Sequence, residues 1–168
     1  PGDNFDYHLK PFREAINNGL RVIMPYYGIP VGQTDEDVAM GFNKMILTDL
    51  LRDELGFTGV VCADWGIVSS RTWGVEHLTI KQRYKKSLDA GMDQYGGESD
   101  TQSVVELVEE GQISEARINL SVKRILINKE SSTSMYSFHI FMSYRCFSNS
   151  QCISIGTIFA LCRQFFTI

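Results

Sequence analysis

Features that mark several common protein classes are missing from this sequence of 168 residues. It has no run of roughly 18 or more apolar residues, so no membrane span is expected. A formal net charge of −4 leaves no basic stripe to neutralise phosphates, so no nucleic-acid partner is expected either. The glycine patterns of nucleotide-binding loops are absent. The cysteines and histidines show no metal-ligand spacing, so no metal site is predicted.

Acidic residues are missing from the last part of the chain. All 20 Asp and Glu precede residue 131, and residues 131–168 carry only Arg145 and Arg163 as formal charges. The same part holds three of the four cysteines and six of the ten phenylalanines. Such a change in composition marks a boundary. We predict one unit over residues 1–130 and an unrelated or disordered tail over 131–168, with a hydrophobic C-terminal helix or strand pair as the alternative.

Before that boundary, short apolar runs alternate with amphipathic segments. The runs RVIMPYY (21–27), GVVCAD (59–64) and MDQ (92–94) predict strands, and helices are predicted over 5–19, 35–56, 80–90, 101–110 and 114–126. Strands that recur about every 35 residues between helices favour a parallel sheet with right-handed crossovers. The predicted fold class is therefore α/β, and a doubly wound sheet and a (β/α)8 barrel both fit the order of elements.

Polar side chains end all three predicted strands. Asp64, Tyr26 and Asp93 occupy these positions, and parallel α/β folds gather functional groups at the carboxyl ends of their strands. Trp65 follows Asp64 directly, and its indole is either a platform for a sugar ring or a packing residue. Asp64 itself is either functional or a helix cap or ion-pair partner. Asp93 and Gln94 either hold hydroxyl groups or cap a loop.

Tyr26 can donate a hydrogen bond to a carboxylate on the next strand. Successive residues of a strand face opposite sides, so Tyr27 is an equal candidate for this contact. Composition and spacing thus predict a parallel α/β domain with a carboxylate and aromatic groups along one edge. They do not name a substrate.

Four ordered stretches of the chain resemble one enzyme family. They are MPYYGIPVGQ (24–33), GFNKMILTDLLRDELGFTGVVCADWG (41–66), SLDAGMDQYGGE (87–98) and LVEEGQISEARINLSVKRIL (107–126). Together they resemble the later part of the N-terminal barrel of glycoside hydrolase family 3, the family of β-glucosidases and related exo-acting enzymes. The resemblance covers most of residues 1–130 and implies about the last three βα units of a (β/α)8 TIM barrel.

The resemblance also implies an activity and its residues. In this family the Asp of the DW pair is the nucleophile of a retaining reaction, and it corresponds to Asp64. The implied intermediate is a covalent glycosyl-enzyme on that residue. Trp65 corresponds to an aromatic wall of the sugar site. Tyr26 corresponds to a Tyr that approaches the nucleophile, where a hydrogen bond would lower the pKa of Asp64. The implied substrate is a β-linked glucoside or another glycoside, and no cofactor is implied because the chemistry needs two carboxyl groups and water.

The chain departs from the family pattern at both ends. The family's earlier strands, with a Lys-His pair and an Arg that bind sugar, would precede Pro1. Retention requires a second carboxyl group about 5–5.5 Å from the nucleophile. In this family it comes from a second α/β domain, whereas no acidic residue follows Glu130 here. The resemblance supports neither Glu76 nor Glu98 in that role.

These departures predict an incomplete enzyme that is weakly active or inactive by itself. A non-catalytic barrel remnant or a sugar-binding pseudoenzyme is the leading alternative. A flavodoxin-like or other doubly wound binding domain is the second, although the sequence lacks the phosphate-cradling turn that such a domain would need.

Overall fold

The computed structural model describes residues 3–132. The elements in chain order are α1 (Phe5–Asn17), β1 (Val22–Ile23), a short 3-10 turn (Met40–Phe42), a π-helix (Met45–Glu54), β2 (Val60–Trp65), α2 (Ile80–Ala90), β3 (Gln94–Gly96), α3 (Gln102–Glu109) and α4 (Glu115–Ser132). The tail predicted over 131–168 lies outside the described residues, apart from its first two positions at the end of α4.

The three strands form one parallel sheet in the order β1-β2-β3. Val22 pairs with Val60, and Cys62 pairs with Gln94. The predicted α/β class and parallel strand arrangement are therefore confirmed. The helices predicted over 5–19, 80–90 and 101–110 are confirmed as α1, α2 and α3.

Side-chain caps explain where the helices α2 and α4 begin. Thr79 and Gln82 form a reciprocal capping box at the start of α2. At α4, the hydroxyl of Ser114 accepts a hydrogen bond of 3.2 Å from the backbone N–H of Arg117. These local bonds satisfy backbone donors that have no partner within the helix.

The helix predicted over 35–56 is wrong in its first half. The structure has a loop through residue 39 and then the 3-10 turn, and the π-helix begins only at Met45. Asn43 is buried, and its side-chain oxygen accepts a hydrogen bond of 3.1 Å from the backbone N–H of Ile46. Its amide nitrogen donates to the Thr34 hydroxyl at 2.8 Å, which holds the preceding loop away from a helical path.

One face of the sheet packs against the helices and the other is open. Val61 and Ala63 point to the helix side and are buried in the core with Leu88 and Leu107. On the opposite face, Val60 is buried at the start of β2, whereas Cys62 and Asp64 nearer its carboxyl end are only half-buried. Because parallel partners share a face, Gln94 lies on the open side with Cys62.

Candidate functional site

Asp64 lies near the carboxyl end of β2 and is half-buried. Its Oδ1 accepts a hydrogen bond of 2.7 Å from the backbone N–H of Trp65. Within residues 3–132, no group donates a hydrogen bond to its Oδ2. One carboxylate oxygen is thus fixed by the backbone while the other can meet a ligand.

A β-bulge at the end of β2 sets the direction of Trp65. Cys62 pairs with Gln94 and Trp65 pairs with Gly96, so β2 advances three residues while β3 advances two. An extra residue of this kind bends a strand and redirects the side chain that follows it. The indole packs against the backbone of Gly96 and Gly97, and the residue is still 57% exposed. The result is a supported aromatic surface directly beside Asp64.

Tyr26 follows β1 and is exposed at the same edge of the sheet. Its pKa is raised, first by a hydrogen bond and charge interaction with Tyr27, then by desolvation and by the negative charge of Asp64. The charge of Asp64 therefore acts on Tyr26. In the part of the chain described, the predicted hydrogen bond between Tyr26 and Asp64 is not formed.

The structure corrects the interpretation of Asp93. The predicted strand 92–94 would have placed it at a carboxyl end, but β3 begins at Gln94, so Asp93 precedes the strand. Its side chain is 0% exposed. Its Oδ2 accepts hydrogen bonds from Arg52 Nη2 at 2.6 Å and from the backbone N–H of Val61 at 3.0 Å.

The other oxygen of Asp93 is equally occupied. Oδ1 accepts hydrogen bonds from the Ser121 hydroxyl at 2.7 Å and from Arg124 Nη1 at 2.9 Å. Burial lowers the pKa of Arg52 while the charge of Asp93 opposes that change. A carboxylate closed on all sides in this way cannot reach a substrate hydroxyl. Asp93 fixes β2 to β3 instead, and its neighbour Gln94 is the residue on the open face.

Glu76 and Glu98 are bound by their own loops. Glu98 is buried, and its Oε1 accepts hydrogen bonds from the backbone N–H groups of Val68 and Ser69 at 2.8 and 3.0 Å. Glu76 accepts one from Gly74 N–H at 3.1 Å, and backbone hydrogen bonds lower its pKa. A general acid needs a raised pKa and a proton to donate. The environment of Glu76 has the opposite effect, and that of Glu98 uses the carboxylate as a loop support.

Cys62 is a site neighbour that sequence reasoning missed. It lies two residues before Asp64 on β2, and both are half-buried. Burial raises the pKa of its thiol, and the negative charge of Asp64 raises it further. The alternation of the strand is the signal that could have identified it, because residues i and i+2 share a face.

The carboxyl end of β2 thus carries Asp64 and Trp65, with Tyr26 close enough to feel the charge of Asp64, while Gln94 begins β3 beside Cys62. Among residues 3–132 there is no group of three or more His, Cys, Asp or Glu that could hold a metal ion. No helix in the described range is both long enough and apolar enough to cross a membrane.

Comparison with known proteins identifies relatives of the chain. Residues 3–127 match the Glycosyl hydrolase family 3 N terminal domain. A "Probable beta-glucosidase C" of Aspergillus oryzae is 51% identical over 139 residues, which is 77% of this chain and 22% of that protein. A "Periplasmic beta-glucosidase/beta-xylosidase" of Dickeya chrysanthemi is 37% identical over 151 residues, covering 76% of this chain and 23% of that protein.

Solved structures of glycosidases are also similar to this chain. A family 3 β-N-acetylglucosaminidase from Paenibacillus has a TM-score of 0.62 and 30% identity, over 73% of this chain and 24% of its own. The β-glucosidase from Listeria innocua has a TM-score of 0.61 and 29% identity, over 73% of this chain and 16% of its own. The chain thus spans less than a quarter of the length of these relatives.

Proposed function

The chain belongs to glycosyl hydrolase family 3, and we propose that it carries the nucleophile of a retaining, β-glucosidase-like hydrolase. The observation that carries the proposal is the Oδ2 of Asp64, which accepts no hydrogen bond from the part of the chain that the structure describes, beside the exposed indole of Trp65. The neighbouring carboxylates of Asp93 and Glu98 are buried and bound by protein donors. The proposed substrate is a β-linked glucoside.

The reaction would proceed in two displacements at the anomeric carbon. In the first, Asp64 Oδ2 attacks that carbon, the bond to the leaving oxygen breaks, and a glycosyl ester forms on Asp64. The leaving oxygen takes a proton from a general acid. In the second, a water molecule attacks the same carbon and loses its proton to the conjugate base. The ester bond then breaks, the sugar leaves with its original configuration, and the Asp64 carboxylate is restored.

The neighbours of Asp64 have complementary roles in this proposal. The indole of Trp65 stacks against the C–H face of the sugar ring. The amide of Gln94 can both donate to and accept from sugar hydroxyls. Tyr26 donates to Asp64 when substrate orders the edge of the site, because apo hydrogen bonds of catalytic groups are often unformed. That bond would stabilise the negative charge of the Asp64 carboxylate before it attacks.

The general acid/base is proposed to come from a part of the family protein other than residues 3–132. The nearby candidates Glu76 and Glu98 support loops, and the sequence has no Asp or Glu after Glu130. The family relatives are more than four times as long as the stretch that matches, so they have room for such a partner. The chain alone would then form the glycosyl-enzyme only with leaving groups that need no proton.

We further propose that the sheet is part of a (β/α)8 barrel. Val22 and Met24 alternate with Ile23 along the first strand and its extension, and they are 42% and 55% exposed. Apolar side chains on such a face fill the interior of a closed barrel. The face carries Cys62 and Gln94 as well, so barrel closure would bury the floor beneath Asp64.

The nucleophile can be trapped without the acid/base. We would treat the chain with dinitrophenyl 2-deoxy-2-fluoro-β-glucoside, because dinitrophenolate leaves unprotonated and the fluorine slows hydrolysis of the ester. Peptide mass mapping should find one fluoroglucosyl group, on Asp64. Asp64→Asn should abolish it, while Asp49→Asn, which removes an exposed carboxylate paired with Lys44, should retain it.

Two results would count against the proposal. One is labelling of a different residue, and the other is an adduct that survives in Asp64→Asn. Glucoside binding without any adduct would favour the sugar-binding pseudoenzyme instead. Circular dichroism of Asp64→Asn must match that of the unmodified chain for the comparison to hold.

A further inference from the structure

A second aromatic cluster lies near the candidate nucleophile. The rings of Tyr27 and Trp73 meet edge to face, with centroids 5.0 Å apart and an interplanar angle of 84°. The guanidinium of Arg71 lies over the Tyr27 ring at 5.1 Å, and the Tyr26 ring is 4.3 Å from Tyr27. Trp73 is 43% exposed. The cluster formed by Tyr27, Arg71 and Trp73 therefore has accessible π surface and a cation.

Arg71 joins this cluster to the platform of Trp65. Its Nη1 donates a hydrogen bond of 2.7 Å to the backbone carbonyl of Trp65, while its guanidinium plane covers Tyr27. Trp65 is the last residue of β2, and Trp73 lies in the middle of the loop that joins β2 to α2. Tyr27 reaches the same place from the loop that follows β1. The cluster and Asp64 are consequently parts of one edge of the sheet.

The backbone beneath the cluster is held in place. The carbonyl of Trp73 accepts a hydrogen bond of 3.0 Å from the N–H of Ala39, which ties the loop after β2 to the loop after β1. Arg83 donates to the carbonyls of Val75 and Val68 at 3.2 and 3.1 Å from the α2 side. These bonds fix the loop at both ends, so the aromatic surface is presented by a supported backbone.

From this arrangement we infer that Tyr27, Arg71 and Trp73 form a binding surface for an aromatic leaving group of the substrate. The inference rests on the proposed function, because Asp64, Trp65 and Gln94 would hold the sugar. Hydroxyl-rich sugars need several hydrogen-bonding groups, whereas this cluster offers mainly π faces. A flat aryl ring stacks on such faces, and Arg71 favours the negative charge that grows on a departing phenolate oxygen.

The two tryptophans of the chain are direct reporters of this contact, because Trp65 and Trp73 are its only indoles. In Trp65→Phe, all tryptophan emission comes from Trp73 and a stacking ring remains at position 65. Titration with phenyl β-glucoside should change that emission, and methyl β-glucoside should not. In Trp73→Phe, both glucosides should change the emission of Trp65.

Affinity ratios give the second test. Trp73→Ala and Tyr27→Ala should each lower the affinity for phenyl β-glucoside by up to about tenfold. The affinity for methyl β-glucoside should stay nearly unchanged. Tyr7→Ala is a matched control, since Lys10 lies over the Tyr7 ring at 5.1 Å on α1. It should change neither affinity. Trp73→Phe should restore most of the preference for the phenyl compound.

Equal loss of both affinities in Trp73→Ala would overturn the inference, because it would mean that the cluster only supports the loop. Unchanged emission of Trp73 on saturation with phenyl β-glucoside would overturn it too, as would failure of either glucoside to bind. The outcome is separable from that of the nucleophile. If Trp73→Ala loses the preference for phenyl β-glucoside but no adduct forms on Asp64, the binding surface alone is supported. If the adduct forms on Asp64 but Trp73→Ala keeps that preference, the nucleophile alone is supported.

Discussion

The indole of Trp65 lies directly on the backbone of Gly97, so closely that a β-carbon at Gly97 would overlap Cε3 of the ring. Gly97 has φ +66°, in the left-handed region where side chains are disfavoured. The bulge in β2 brings the two residues together at the end of the sheet. A flat ring resting on bare backbone keeps its opposite face open, beside Asp64. The glycine is therefore part of the proposed sugar site although it has no side chain.

Replacing Gly97 should move the platform. In a Trp73→Phe background, where only Trp65 emits, Gly97→Ala should shift the emission of Trp65 and weaken glucoside binding. The strain of alanine in the left-handed region should also cost about 1–2 kcal/mol and lower Tm by several degrees.

Gly111 supplies the matched control for that experiment. It has φ +69°, and a β-carbon there would meet nothing within 4 Å. Gly111→Ala should lower Tm by a similar amount without altering the emission of Trp65 or glucoside binding. Identical spectra of the two variants would contradict the role given to Gly97.

Removing the charge of Asp93 should destabilise the fold strongly. Arg52 is 9% exposed, and in Asp93→Asn its guanidinium would remain buried without a carboxylate. The expected loss in the free energy of unfolding is about 3–5 kcal/mol, measured by urea denaturation. Asp89→Asn breaks the exposed pair with Lys85 and should cost about 0.5 kcal/mol or less. If the two substitutions lowered the free energy of unfolding equally, the buried ion pairs of Asp93 would not stabilise the fold as proposed.

The thiol of Cys62 should report the charge of Asp64. Its pKa is raised in the fold, by burial and then by Asp64, so native Cys62 should be alkylated more slowly near pH 8 than in urea. Because folding raises the thiol pKa, this thiol stabilises the fold at any pH below its pKa in the unfolded chain. The stabilisation is lost as pH rises through its pKa in the folded chain.

Asp64→Asn should therefore speed the alkylation of Cys62. Without the negative charge of Asp64 the thiol pKa falls, so the thiolate fraction near pH 8 and the alkylation rate should rise, by about twofold. Peptide-resolved mass spectrometry separates Cys62 from the other three cysteines. Asp49→Asn should leave the rate unchanged. A slower rate in Asp64→Asn would mean that the carboxylate does not act on the thiol as the structure indicates.

The position of Asp64 could be predicted from sequence because several local signals agree there. A β-branched run, GVVC, ends in a carboxylate, and the strand observed over Val60–Trp65 differs from the prediction by one residue at each end. α2, the helix that follows β2, likewise begins at a side-chain cap, whereas the π-helix before β2 has none and begins ten residues later than predicted. Where pattern and capping agree, sequence and structure agree.

Asp93 shows why the rest could not be predicted. Its strand begins two residues later than expected, and alternation then gives the open face to Gln94 and the buried face to Asp93. Three arginines from the π-helix and α4 surround it, and these contacts cross more than 20 residues of sequence. The bulge at Trp65 is likewise a property of the pairing between strands. No local pattern encodes either feature.

The cluster of Tyr27, Arg71 and Trp73 escaped sequence analysis for a related reason. Its members come from two loops, whose approach depends on the backbone bond between Ala39 and Trp73. Loops carry little periodicity, so their contacts follow from the fold that holds them.

The central claim is that this chain carries the nucleophile of the reaction without the acid/base. The most direct measurement is release of dinitrophenolate from dinitrophenyl β-glucoside by the chain, followed in time with and without azide. We predict a burst of about one equivalent that then stalls, because the ester on Asp64 has no base to activate water. Azide needs no base and should restart release, with β-glucosyl azide as the product, and Asp64→Ala should show no burst. Steady turnover that azide does not change, or a burst that persists in Asp64→Ala, would contradict the account.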